Sequence, residues 1–224
     1  MRGNRGARSA GIDGVKPRSI VFGEAAFLTG LRHDLKSGRF TPLPVRQRMI
    51  PKANGKLRSL GIPTASDRVV QASVELVLEP IFEAGFRPRS YWFRPCRRAH
   101  EAIAKIHMLA SNEYPVVLEG AIEACFDEID HTALMSRVRD RVGDKRIVDL
   151  VKAFLNAGVL AEDGVTRDTK MGTPQGVILS PLHANIALSV LDDHFAEAWQ
   201  REMATRTLRA TRRNRGHATY RLVR

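Results

Sequence analysis

The stretch "VVLEGAIEACFDEIDH", residues 116–131, sets five acids and a histidine behind a short apolar run. Carboxylates gathered at the end of a buried strand offer hard oxygen ligands to a divalent cation. If 116–122 is a strand, its alternation places Glu119, Ala121 and Glu123 on one face. Asp127, Glu128 and Asp130 read either as metal ligands or as the polar start of a helix, and both readings stay open here. His131 would sit in the first turn of that helix, with no catalytic task.

Two further segments carry chemistry. "VRQRMIPKANGKLRSLGIP", residues 45–63, has apolar positions flanking Asn54–Gly55. Asn-Gly between apolar runs predicts a β-hairpin, because both residues tolerate positive φ. Arg46, Arg48, Lys52, Lys56 and Arg58 on that hairpin would form a phosphate clamp. In "MGTPQGVILSPLHANIALSVLDDHF", residues 171–195, Gly172, Pro174 and Gly176 punctuate a loop around Gln175. Together these parts imply phosphoryl chemistry on nucleic acid. Such chemistry uses two Mg²⁺ ions about 4 Å apart to stabilise attacking and leaving oxygens. Cations would cover a triphosphate, and a glycine turn would let backbone approach a base closely. Asp192 and Asp193 read as a surface pair.

The elements that must position these groups follow from local patterns. Up to about Gly14 the Gly- and Arg-rich start resembles a flexible arm. Residues 24–38 predict an amphipathic helix with Phe27, Leu28, Leu31 and Leu35 on one side. Thr64 with Asp67 resembles a capping box, opening a helix through Val69, Val70, Val74, Val77 and Leu78 that Pro80 should end or kink. A helix over 97–110 would turn Ala99, Ile103, Ile106 and Ala110 inward. Asp130 and Asp144 are candidate helix caps, with Gly158 ending the second helix. Ser180 and Pro181 open a helix whose apolar residues spread around it, so it should be buried on more than one side. From Gln200 onward eight arginines accompany one acid, Glu202, which reads as an exposed basic loop before a last strand, "TYRLV".

Composition bounds the partners. With 224 residues, 43% hydrophobic and 27% charged, the chain has material for an ordinary globular core. Its net charge of +12 favours polyanions such as nucleic acid. Cys96 and Cys125 stand far apart, outside any CxxC or Cys/His cluster, which argues against a zinc site or a disulfide framework. No segment approaches the ~18 continuous apolar residues of a membrane span. A cytoplasmic location is the default expectation.

"GIDGV", "MIPKANGKLRSLGIPTASDRVVQ", "SYWFRPCRRAHEAI", "EGAIEACFDEIDH" and "GTPQGVILSPLHANIAL" resemble, in order and spacing, the bacterial group II intron-encoded reverse transcriptases, or maturases. The resemblance implies an α+β, right-hand polymerase fingers/palm fragment, with helical fingers and an incomplete palm sheet. Fingers would occupy about 1–113 and 132–160, and partial palm about 114–131 and 171–224. The thumb and maturase domain would be absent, the chain stopping before the aromatic-Ala-Asp-Asp turn. By resemblance, Lys52 and Arg58 would bind the triphosphate of an incoming dNTP. Phe126 would be the gate beneath its sugar, and Gln175 would support template or nucleotide. Group II intron RNA and an RNA/DNA template–primer would be the macromolecular partners, and Mg²⁺ the cofactor.

Departures from the family pattern bear on activity. Ala121 stands where the family has its metal-binding Asp. Trp92 and Cys96 replace glycines of "SYGFRPGR", Val177 replaces the last glycine of "PQGG", and His183 replaces an apolar residue. Glu119 and Glu123 lie about 6–7 Å along the strand from position 121, too far to stand in for the missing acid. The resemblance therefore implies an RNA-directed DNA polymerase by descent that is catalytically inactive as this chain. The alternatives are a non-catalytic intron-RNA-binding module or a non-functional remnant.

Overall fold

A computed structural model of the chain describes residues 5–53, 55–112 and 114–224. In chain order its elements are α1 (Glu24–Ser37), β1 (Val45–Pro51), β2 (Leu57–Ile62), α2 (Ala65–Glu83) and α3 (Ala99–Asn112). They continue with α4 (His131–Arg141), α5 (Lys145–Leu155), β3 (Val159–Leu160), β4 (Thr166–Arg167), α6 (Ser180–Met203) and α7 (Arg206–Asn214). The fold is mixed α+β, with helices and a small sheet. It divides into two compact units: the chain up to Glu79 with Ala124–His183, and Pro80–Glu123 with Ala184–Arg224.

The first unit holds the sheet, in the order β2-β1-β3-β4, with β1 antiparallel to β2 and parallel to β3. The predicted hairpin is β1–β2, in the register Arg48↔Leu60 and Ile50↔Arg58. Asn54 lies outside the described residues, while Gly55 adopts φ +78° and donates its N–H to the Lys52 carbonyl at 3.0 Å. The core of this unit is aliphatic, with Val70, Val74, Leu134, Val138, Val151 and Leu179 all at most 3% exposed. Each such side chain contributes about 1.5–3 kcal/mol on burial.

Several local predictions are realised by geometry. The Thr64 hydroxyl accepts the Asp67 N–H at 3.1 Å and donates to the Asp67 carboxylate at 2.7 Å, opening α2. Burial raises the Asp67 carboxyl above the usual carboxylate range, against these hydrogen bonds. The Asp130 and Asp144 side chains cap α4 and α5. Other expectations are corrected. α2 runs through Pro80 to Glu83, because the proline lies on the exposed side, where water can take the carbonyl it leaves unpaired. α5 stops at Leu155 with Asn156 as its cap, and Gly158, at φ +80°, instead opens β3. In α1 Leu31 is the buried position and Leu28 is exposed. The N-terminal segment packs down by residue 10, where Ala10 and Gly11 are buried and Arg68 donates to the carbonyls of Gly6 and Ser9. A Cβ on Gly11 would sit 2.6 Å from the Thr64 backbone.

The second unit departs further from expectation. Residues 116–122 form no strand, and Val116, Val117 and Leu118 are 61–95% exposed. A strand needs ladder partners, and this segment has none among the described residues. "TYRLV" is likewise irregular, and the predicted basic loop before it is largely helix α7, capped by Thr205. α3 buries no residue, with Ile103 63% exposed.

Polar groups take over much of the second unit's order. The buried Arg94 guanidinium grips the Glu83 carboxylate at 2.6 Å and donates to the carbonyls of Arg87 and Ser90. Asp192, predicted at the surface, is buried and paired with Arg224 at 2.6 Å, while Asp193 meets Arg87. Neither Trp92 nor Val177 takes a positive φ; Cys96, where the family has glycine, takes +57°, and Phe93, beside Trp92, takes +46°. Buried Asn185 holds that turn, its side-chain amide donating to the carbonyls of Trp92 (2.8 Å) and Phe93 (3.3 Å).

Candidate functional site

Strand alternation gives the hairpin a basic face. Even-numbered residues pair with even-numbered ones across β1–β2, so Arg46, Arg48 and Arg58 point the same way. The Lys52 N–H to Lys56 carbonyl bond, 2.7 Å, carries the pairing one step further toward the tip. Arg48 leans on Glu162 at 3.4 Å. Lys52 and Arg58 are exposed, and with Ile50, Pro51 and Ala53 they line an open depression of about 420 Å³. That is a place for phosphate oxygens, which accept charge-assisted hydrogen bonds from both side chains.

The loop with Gln175 is built onto this hairpin. The Gln175 carbonyl accepts the N–H of Gly61 in β2 at 2.7 Å, closing the sheet's outer edge. Glycine is required next door, since Gly176 adopts φ +91° and a Cβ there would lie 2.4 Å from Leu60 Cδ1. On the other side Thr173 donates its N–H to the Phe126 carbonyl at 2.8 Å, and Gly172 donates to the Ile129 carbonyl at 2.7 Å. Gly172, at φ +78°, packs so closely that a Cβ would lie 2.4 Å from the Asp127 carbonyl oxygen. His131 Nε2 lies 2.6 Å from the Gly172 carbonyl, so this histidine fastens the loop. Phe126 and Gln175 are both half-buried. Lys52, Arg58, Phe126 and Gln175 thus belong to one unit, joined through backbone hydrogen bonds.

Ala121 lies in the other unit, exposed and outside regular structure. Its methyl offers no donor atom to a metal, and Glu119 and Glu123 are exposed as well. Among the described residues no group of three or more His, Cys, Asp or Glu is arranged to hold a metal ion. The acids that opened the question are used otherwise: Asp130 accepts the Ala133 N–H at 2.6 Å as a helix cap, while Asp127 and Glu128 are exposed on a turn. The described residues do not fit the Mg²⁺ that the resemblance implies.

Sequence reasoning misses two supports of the loop. The Gln71 side chain, 2% exposed, accepts the Ile178 N–H at 3.1 Å. Its signal is a polar residue on the apolar stripe of α2, four after Asp67 and three before Val74. The Ser180 hydroxyl donates to the Pro174 carbonyl at 2.7 Å and lies 2.7 Å from the Thr173 hydroxyl, so it fixes the loop from inside α6.

The chain is similar to known proteins along most of its length. The profile of the family described as reverse transcriptase (RNA-dependent DNA polymerase) matches residues 50–211. Protein YkfC of Escherichia coli (strain K12) is 38% identical over 200 residues, covering 88% of this chain and 52% of its own length. The group II intron-encoded protein LtrA of Lactococcus lactis subsp. cremoris is 40% identical over 190 residues, covering 84% of this chain and 31% of its own. The chain therefore spans about half the length of the first and a third of the second. Among solved structures, a chain of a partial Cas6-RT-Cas1–Cas2 complex superposes with a TM-score of 0.50 at 22% identity, over 76% of this chain and 30% of that one. That likeness speaks to the fold alone. With the hairpin, the Pro-Gln-Gly loop and the matched blocks in hand, the chain belongs to the reverse transcriptase (RNA-dependent DNA polymerase) family, among its group II intron maturase-like members.

Proposed function

We propose that this chain binds a deoxynucleoside triphosphate and an RNA/DNA template–primer through its basic hairpin and the adjoining loop, and does not join the two. One observation carries the reading. Backbone hydrogen bonds from the Thr173 N–H to the Phe126 carbonyl and from the Gly61 N–H to the Gln175 carbonyl fix the loop against the hairpin that presents Lys52 and Arg58. In this reading Lys52 and Arg58 hold the triphosphate, Phe126 lies beneath the sugar, and Gln175 supports the template or the nucleotide. Two-metal nucleotidyl transfer needs several carboxylates, and Ala121 supports the view that this chain lacks them. Residues 1–113 and 132–160 would then be fingers, and 114–131 and 171–224 part of the palm. Group II intron RNA is the natural polyanion for the exposed arginines of α7, Arg206 and Arg213.

Binding of dTTP and dTMP to the purified chain tests the site. The double variant Lys52→Ala, Arg58→Ala should weaken dTTP by roughly tenfold or more, the loss of hydrogen bonds to charged groups, and leave dTMP nearly unchanged. Equal dTTP affinity in variant and parent would refute the assignment.

A further inference from the structure

The second unit contains a cavity of about 600 Å³ whose walls combine cations with aromatic rings. Arg89, Lys105 and Arg221 supply charge; Tyr91, Trp199 and Tyr220 supply ring faces. The Arg221 guanidinium lies over the Trp199 ring, 3.2 Å from its centroid. Arg97 lies over Tyr91 and Arg212 over Tyr220, each at 5.6 Å. Of the charges on the same walls, Asp192 is paired with Arg224 and Arg87 with Asp193, leaving Glu197 against Arg89, Lys105 and Arg221. Burial first, then the charges of Arg89 and Arg209, lower the proton affinity of Arg221, against a hydrogen bond with Tyr114. Like charges are crowded here at a cost that an anion would relieve.

Trp199 also carries an unused donor, behind the ring that lines the cavity. Trp199 Nε1 is buried and has no hydrogen-bond partner among the described residues. An indole N–H can only donate, and buried polar groups are nearly always paired. Cations stacked on and beside aromatic rings match what a nucleotide presents: phosphate oxygens and a planar base. The volume falls within the range of small-molecule sites.

We propose that this cavity holds one nucleotide of a single-stranded nucleic acid, its phosphate against Arg89, Lys105 and Arg221 and its base against Trp199 or Tyr220. The proposal stands independently of the hairpin site.

The test uses the full chain carrying Trp92→Phe, which leaves Trp199 as the sole tryptophan. An oligo(dT) octamer, titrated at low salt, is expected to quench Trp199 fluorescence saturably, because a stacked base quenches the indole. Inorganic phosphate at the same concentration should leave the signal unchanged. Lys105→Glu, on helix α3, should weaken the octamer about tenfold, and Arg221→Gln at least as much. Lys36→Ala, at an exposed position of α1, should leave the quenching curve where it was. Absence of saturable quenching, quenching by phosphate alone, or affinity unchanged by Lys105→Glu would overturn the proposal.

Discussion

At the scale of single residues, two substitutions relative to the family pattern have opposite characters. In the proposed reading Ala121 takes away a metal ligand without loading the fold, since an exposed methyl costs little. His183 loads the fold. It is 2% exposed, neither ring nitrogen has a hydrogen-bond partner among the described residues, and burial, aided by the charge of His131, lowers its pKa to about 4. In the unfolded chain an imidazole takes its proton near pH 6.5. The folded state therefore refuses a proton that the unfolded state accepts between those values. The stability that neutral His183 permits is complete above pH 6.5 and is lost as pH falls through about 4, roughly 3 kcal/mol in all. His183→Leu should flatten the pH dependence of urea midpoints across that window and add about 1 kcal/mol near neutral pH, where two unpaired nitrogens disappear. An unchanged slope with lower stability would contradict this role for the residue.

Among elements, the turn over residues 90–96 shows how strain is held. Cys96 takes φ +57° with an exposed side chain, in a region that costs an L-residue about 1–2 kcal/mol. Arg94 and Asn185 over-determine the turn from below, so the strain persists. Cys96→Gly should therefore raise stability by about 0.5–1 kcal/mol, the relief being partly offset by unfolded-state entropy, and move the melting temperature up by ~2 °C. A lower melting temperature would show that the thiol, not the backbone, matters there. The same turn marks the boundary of what the sequence makes legible. Caps, the hairpin and the loop glycines are readable because each is decided within a few residues: Thr64 with Asp67, Asp130 with Ala133, Gly176 with its own φ. The burial of Asp192 is not, because its partner, Arg224, is 32 residues away. The 116–122 segment has strand composition, but a strand is a property of two segments. The site is legible as a set of residue types, and its assembly through Gly61 and Gln175 is not.

For the whole molecule the governing property is charge, +12 over 224 residues. The hairpin gives the first unit a basic face, and α7 gives the second its exposed arginines. Binding to a poly(rA)/oligo(dT) duplex should accordingly weaken by an order of magnitude or more between ~50 and ~200 mM salt, through counterion release. The central claim, a reverse transcriptase family chain that binds its substrates without joining them, is tested most directly on that same duplex. Duplex binding and dTTP incorporation would be measured together at low salt, with Mg²⁺ and then Mn²⁺. Saturable binding with no incorporation above a protein-free blank is the expected result; template-dependent incorporation by the purified chain would contradict it.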